Sequence, residues 1–241
     1  MRYLDLTLPS IAENLALDEA LLASADEYDL GAVVRIWEPT SLAVVLGASG
    51  RMLKDVDVDR CRDEGVAIAR RSSGGGTVLV GPGTLNVTVV LPIKAEAGLG
   101  AVDKAQKYVL DRLAEQLRAQ GPPVEVLGQG DLTIERRKFS GSAQRRLRDY
   151  FLVHATILYA FPLDLVWKYT REPERQPDYR EKRSHEDFLV NLDLPREKLV
   201  DAVQLAWLGE ERRSRPVEVP MELVKRLTSE KFSDPAWVER L

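Results

Sequence analysis

The sequence predicts an α+β fold with mixed, mostly antiparallel β-sheets flanked by helices. Three observations carry that prediction. Short apolar strand segments come in two runs without the steady strand–helix alternation of a doubly wound sheet. Glycine and proline turn signals separate them. Beyond Pro162 the chain becomes charged and helical in period. The 241 residues suit a single domain, with a core over 1–192 and a helical tail over 193–241.

The elements follow in order. Residues 12–25 have helical spacing, with Leu15, Leu17, Ala20, Leu21 and Leu22 as apolar positions broken by Asp18 and Glu19. Val33–Trp37 and Leu42–Leu46 are short apolar strands. Asp55–Glu64 is a helix stopped by Gly65. Val66–Arg70, Thr77–Val80 and Leu85–Leu91 are strands, the last two joined through Gly81-Pro82-Gly83. Val102–Gln120 is a long helix closed by Gly121-Pro122-Pro123. Val124–Leu127, Leu132–Glu135, Phe139–Gln144 and Tyr150–Tyr159 form the second strand run. Helices are expected at Asp164–Tyr169, Glu186–Val190, Arg196–Leu208, Met221–Ser229 and Pro235–Arg240. The stretch Thr170–Arg183, rich in Pro, Arg and Glu, reads as an exposed loop over a site.

Composition narrows the function. A net charge of −4 gives no reason to expect nucleic acid. No apolar stretch approaches the ~18 residues of a membrane span, and no secretion signal opens the chain, so a cytoplasmic location is expected. The one cysteine, Cys61, permits no internal disulfide or cysteine metal cluster. The two histidines, His154 and His185, form no zinc pattern. His185 reads as a helix N-terminal residue, and His154 either packs in the core or shapes a pocket.

Two stretches point to chemistry. In Arg70-Arg71-Ser72-Ser73-Gly74-Gly75-Gly76-Thr77, three glycines leave backbone N–H groups uncovered and permit positive φ. Such a turn can form an anion nest, and arginine grips phosphate oxygens bidentately. The pattern is neither a Walker loop nor G-x-G-x-x-G. A flexible surface turn is the competing reading, and placement between two apolar strands weighs against it. In Lys138-Phe139-Ser140-Gly141-Ser142-Ala143, strict alternation puts Lys138, Ser140 and Ser142 on one face, and Phe139 and Gly141 on the other. Gly141 within a strand signals close approach of a ligand or backbone. An isolated lysine here would be a surface charge.

Together the two stretches resemble the lipoate-protein ligase and octanoyltransferase family. Its Arg-Arg-x-Ser-Gly-Gly-Gly-(Ala/Thr)-Val segment corresponds to Arg70, Arg71, Ser73, Gly74, Gly75, Gly76, Thr77 and Val78. Its Lys-(Ile/Val)-Ser-Gly-Ser-Ala corresponds to 138–143. Asn14-x-Ala16-x-Asp18-Glu19-Ala20 and His154-Ala155-Thr156-Ile157-Leu158 also look like family stretches, and the match runs over about 3–192. The chain departs where the family has Tyr-His-Asp (here Leu79, Val80, Gly81), Gly-Asn-Leu-Asn (here Gly83, Thr84, Leu85, Asn86) and Asn-Asp-Leu (here Gly130, Asp131, Leu132).

The resemblance implies a class II synthetase-like biotin/lipoate ligase catalytic domain, and an enzyme that forms lipoyl-AMP from ATP and lipoate. It then transfers the lipoyl group to a lysine of an acceptor lipoyl domain or H-like protein. In that scheme Lys138 is catalytic and stabilises charge in both transition states. Arg70, Arg71, Ser73, Gly74, Gly75, Gly76, Thr77, Asn86 and Asp131 hold ATP or the acyl-adenylate, with Asp131 also a Mg²⁺ ligand. Gly141, Ser142, Ala143, His154 and Thr156 hold the lipoyl group.

Octanoyltransferases of similar sequence hold the acyl group on a cysteine, and Cys61 lies at no such site, which favours the ligase route. Octanoyl transfer, transfer from preformed adenylate and a non-catalytic acyl-protein binder are the alternatives. A biotin-protein ligase is disfavoured because its Gly-Arg-Gly-Arg-x-Gly-Arg signature is absent. Two-domain lipoate ligases carry an additional C-terminal domain, so a separate accessory chain is expected. The arginines at 136, 137, 145, 146 and 148 either dock an acidic acceptor or form a solvated hairpin face.

Overall fold

The computed structural model describes residues 1–28 and 31–241. Two sheets organise it. The larger has the strand order β1 (Arg2–Asp5), β2 (Val33–Trp37), β6 (Thr84–Pro92), β10 (Tyr150–Leu158), β9 (Arg137–Arg146), β8 (Asp131–Ile134), β7 (Glu125–Leu127). Only its β1–β2 pair is parallel. The smaller has the order β4 (Ala67–Arg70), β3 (Ala43–Leu46), β5 (Val78–Val80), with β3–β4 parallel and β3–β5 antiparallel. The mixed, mostly antiparallel α+β prediction is therefore correct. The strand β1, four residues long, was not legible as an element in the sequence.

Apolar alternation sets the layers. Val87, Val89, Val153, Ala155 and Ile157 project from one face of the large sheet. There they meet α4 (Val102–Ala119) and α7 (Arg196–Leu208), which contribute Leu110, Leu113, Leu199 and Val203 to the same core. Val33, Val90 and Leu152 project from the other face onto α1 (Ile11–Tyr28), which also meets Val45, Ala69 and Val80 of the small sheet. Helix α1 is thus enclosed between two sheets, which explains why its Asn14, Asp18 and Ser24 are buried beside leucines. A reciprocal cap starts it: Glu13 N–H donates to Ser10 Oγ at 3.2 Å, and Ser10 N–H donates to Glu13 Oε2 at 2.9 Å.

The outer side of the small sheet carries a third cluster, with Val44, Leu46, Cys61, Phe161, Tyr169 and Phe188. Its helices are α3 (Val58–Asp63), α5 (Asp164–Tyr169) and α6 (His185–Phe188), preceded by α2 (Met52–Asp55). The single helix expected over 55–64 is thus two short ones. The chain breaks at Val56, which bridges Thr170, and Asp57 restarts it by accepting from Arg60 N–H at 3.2 Å. In the tail, α8 (Met221–Leu227) continues into a π-helical turn over Thr228–Phe232, and α9 (Pro235–Val238) follows. No helix of the described residues is long and apolar enough to cross a membrane.

Candidate active site

The site is built on the α1-side face of the large sheet, at the end that α1 leaves uncovered. Register aligns two rows of polar residues across it. Arg35, Thr88, His154 and Ala143 face one another along one row. Trp37, Asn86, Thr156, Gly141 and Asp131 form the next. The small sheet and the glycine loop close over these rows and enclose a cavity of about 110 Å³. Its walls are Leu15 and Asp18 of α1, Val45, Val78 and Val80 of the small sheet, and Arg71, Gly76 and Thr77 of the loop. Trp37, Asn86, His154, Thr156, Lys138 and Gly141–Ala143 of the large sheet complete them.

A β-bulge aims the lysine. Leu132 pairs with Ser140 while the next residue, Thr133, pairs with Lys138, so Phe139 is the extra residue in β9. The bulge overturns the simple alternation expected for this stretch. Lys138 shares its face with Gly141 and Ala143. Ser140 shares the opposite face with Leu132, and Ser142 Oγ accepts from Gln106 Nε2 of α4 at 2.8 Å. Lys138 arches over Gly141, where an added Cβ would stand 2.7 Å from its Nζ. Its ammonium lies 2.7 Å from Asp131 Oδ1, with the lysine side chain 27% exposed. The cation therefore sits at the cavity mouth with a carboxylate behind it.

The glycine loop is held from below. Arg71 is buried, and burial pushes its pKa down to about 10, which leaves it charged at neutral pH. Its guanidinium donates to Val45 O, Gly74 O, Gly76 O and Ser73 Oγ at 3.2, 2.6, 2.8 and 3.0 Å. Arg70 is 0% exposed and donates to Gly47 O, Gly50 O and Val238 O at 3.0, 2.6 and 3.0 Å. The 47–50 turn lies directly against the loop: an added Cβ at Gly47 would come within 2.1 Å of Gly75 O. The C-terminal segment supports this assembly. Trp237 Nε1 donates to Arg70 O at 2.9 Å, and the Arg240 guanidinium stacks on Trp237, 3.9 Å from the ring centroid. Above this base Gly74, Gly75 and Gly76 are exposed, and Thr77 Oγ1 donates to Asp55 Oδ2 at 3.1 Å.

A buried polar chain joins the loop to α1. Ser73 Oγ and His154 Nε2 are 2.6 Å apart, and His154 Nδ1 lies 3.6 Å from Asp18 Oδ2. Asp18 also accepts from Thr88 Oγ1 at 2.9 Å and pairs with Arg35 at 2.6 Å. Burial alone would raise the Asp18 pKa. Arg35, with His154 and Thr88, more than offsets this and holds it below the ordinary carboxylate value.

Of the residues singled out from sequence, Lys138, Arg71, Gly76, Thr77, Asn86, Gly141, Ser142, Ala143, His154 and Thr156 line the cavity. Asp131 stands behind Lys138. Arg70, Ser73, Gly74 and Gly75 lie outside the lining, in the base and crest of the loop. Trp37 and Asp18 belong to the site but were not read as such; Asp18 carried a signal, since an acid inside an apolar helix face needs a buried partner. Cys61 is fully buried in the third cluster. Burial, then Asp57 and Glu64, pushes its thiol pKa up. The arginine cluster is largely engaged: Arg136 pairs with Glu181, Arg137 donates to Leu189 O, Arg145 to Ser72 O and Arg146 to Leu99 O.

Comparison with known proteins finds relatives in sequence and in fold. A protein of Aeropyrum pernix assigned as a lipoate-protein ligase A is 35% identical over 146 residues, covering 60% of this chain and 52% of that relative. The chain thus matches about half the length of that relative. The octanoyltransferase LipM of Macrococcus caseolyticus is 25% identical, with 94% of each chain covered. In fold, the chain matches a bi-partite lipoate protein ligase of Thermoplasma acidophilum with a TM-score of 0.82, 23% identity and coverage of 99% and 95%. A lipoate-protein ligase A bound with ATP gives 0.80, 24%, 100% and 99%. The family model for the lipoyl protein ligase A/B catalytic domain matches residues 10–208, and the chain belongs to that family.

Proposed function

We propose that this protein activates lipoate with ATP and joins the lipoyl group to a lysine of an acceptor lipoyl domain or H-like protein. The observation that carries the reading is Lys138, held against Asp131 in the wall of a cavity that Gly76 and Thr77 of the glycine loop also line. A carboxylate lying along Thr156 and Gly141 would present its oxygen beside the ammonium. In the first step that oxygen attacks the α-phosphorus, the Pα–O–Pβ bond breaks and pyrophosphate leaves. In the second, the acceptor amine attacks the acyl carbon, the C–O bond to phosphate breaks, AMP leaves and the amine gives up a proton. Negative charge builds on phosphate oxygens in the first step and on the acyl oxygen in the second. A fixed cation between them stabilises both transition states. The glycine N–H groups, given their shape by Arg71, are the proposed nest for phosphate oxygens.

Mg²⁺ would share the phosphate charge in such a reaction. Asp131, the carboxylate suggested for it, does not fit as a ligand here, because one oxygen is held by Lys138 and the other by Tyr179.

Octanoyl transfer is the second reading, and the similarity to LipM over 94% of each chain favours it. Against it stands the single cysteine, which is buried away from the cavity with a raised pKa. One experiment separates the readings. The purified chain is given an acceptor lipoyl domain with ATP, Mg²⁺ and lipoate, or with an octanoylated carrier and no ATP, and the acceptor is weighed by mass spectrometry. Lipoylation that requires ATP is expected. Octanoylation without ATP would assign the transferase instead. A third arm with preformed lipoyl-adenylate tests for an accessory chain, suggested by the bi-partite Thermoplasma protein: transfer from adenylate but not from ATP would mean that activation needs the second chain.

A further inference from the structure

The segment between α5 and α6, residues 170–184, crosses beside the lysine. It is tied down at both ends. Arg171 N–H donates to Asp55 O at 2.9 Å, and Arg183 Nη2 donates to Arg136 O at 2.9 Å. Between these ties Tyr179 turns inward. Its ring packs on Phe188 with centroids 5.4 Å apart, and it stands over Gly128, where an added Cβ would meet Cε1 at 3.2 Å. Its hydroxyl donates to Asp131 Oδ2 at 2.6 Å, while Asp131 Oδ1 holds Lys138 Nζ at 2.7 Å. Burial and the neighbouring carboxylate push the Tyr179 pKa up, so the hydroxyl keeps the proton it donates.

We propose that Tyr179 is a positioning residue: its hydroxyl fixes the Asp131 carboxylate, which in turn aims Lys138 into the cavity. The inference rests on the reading of Lys138 as the reaction's charge stabiliser. Three physical points support it. The terminal torsion of aspartate is broad and two-fold, so a carboxylate gripped at one oxygen can turn. A partly exposed ion pair holds a four-carbon side chain weakly, because ordering that chain costs rotamer entropy. A second, charge-assisted hydrogen bond at the other oxygen removes the freedom of the carboxylate to turn. Gly141 then gives the lysine stem room to lie, since an added Cβ there would stand 2.9 Å from its Cε.

Tyr179→Phe removes one oxygen and keeps the ring packing on Phe188. The turnover number is expected to fall about tenfold, the size of one such hydrogen bond. KM for ATP and lipoate should stay within about twofold, and stability should fall by no more than the roughly 1–2 kcal/mol that a tenfold effect of one such hydrogen bond represents. A double-mutant cycle isolates the route: in a Lys138→Ala background, Tyr179→Phe should cost nothing further. An unchanged turnover number, an effect confined to KM, or the same tenfold loss without Lys138 would each overturn the proposal while leaving the ligase reading intact.

A measurement independent of turnover completes the test. The Lys138 ammonium signal in heteronuclear NMR, assigned by its loss in Lys138→Ala, should weaken or vanish in Tyr179→Phe as the ammonium gains freedom and exchanges protons faster. An unchanged signal sinks the proposal even if the chain makes no lipoyl amide.

Discussion

The arginine pair and the lysine come from the two stretches that define the family resemblance, yet they occupy opposite conditions. Arg70 and Arg71 are buried, and their guanidinium groups point into the fold, each bonded to several backbone carbonyls. Lys138 is a quarter exposed and holds a single carboxylate at the cavity mouth. On the proposed reading, motif residues of like charge divide here between shaping a backbone and taking part in chemistry. Arginine suits the first task because its planar fork satisfies several carbonyls at once. Lysine suits the second because one compact charge at the end of a long stem can be brought to a reacting group and held there by a single carboxylate.

Substitutions test that contrast. The largest stability effect is expected deeper along the same polar chain. Asp18→Ala leaves Arg35 fully buried without its partner, and should cost about 3–5 kcal/mol in denaturant unfolding. Arg71→Met keeps volume but strands the carbonyls of Val45, Gly74 and Gly76, so stability should fall by roughly 2–3 kcal/mol. Activity should fall with it, because the glycine turn loses its base. Activity lost at unchanged stability would show instead that Arg71 acts on the ligand. Trp237→Phe removes one hydrogen bond to Arg70 O and keeps the ring against Phe232. About 1 kcal/mol is expected, measured by thermal melting, together with a higher KM for ATP.

The smallest effect is on pH dependence. The folded Asp18 pKa lies below its ordinary value. Its stabilisation is therefore fully present above the unfolded pKa of about 4 and is lost as pH falls through the lower folded value. Unfolding at a series of acidic pH values should show a steeper loss in the native chain than in Asp18→Asn; equal slopes would mean that Asp18 carries no such linkage.

The layers were legible from sequence because apolar spacing is a local property. Val87, Val89 and Val153 announced strands, and Val109, Leu113 and Leu117 a helix. The glycine loop was legible because it falls between two apolar strands, and Lys138, by itself a surface charge, because its motif and the loop together resemble one family. What stayed hidden depends on partners distant in the chain. The four residues of β1 gain their identity from pairing with β2. The Phe139 bulge put Lys138 and Ser140, expected on one face, on opposite faces, and a single extra residue leaves no periodic trace. The support of Arg70 by Trp237 and Val238 joins residues more than 160 positions apart. Tyr179 lay inside a loop read as exposed and over a site, but its inward turn depends on Asp131 and Phe188, which are distant in the chain or hidden in the fold.

The division of labour between arginines and lysine is tested most directly by Lys138→Ala. Lipoate-dependent ATP–pyrophosphate exchange, or acyl transfer from preformed adenylate where activation needs a second chain, would be measured beside thermal unfolding. The rate should fall by about 10²–10³, as for loss of one preorganised charge stabiliser, while the melting temperature stays unchanged. Near-native rates, or a loss of rate matched by a loss of stability, would contradict the assignment of Lys138 to chemistry.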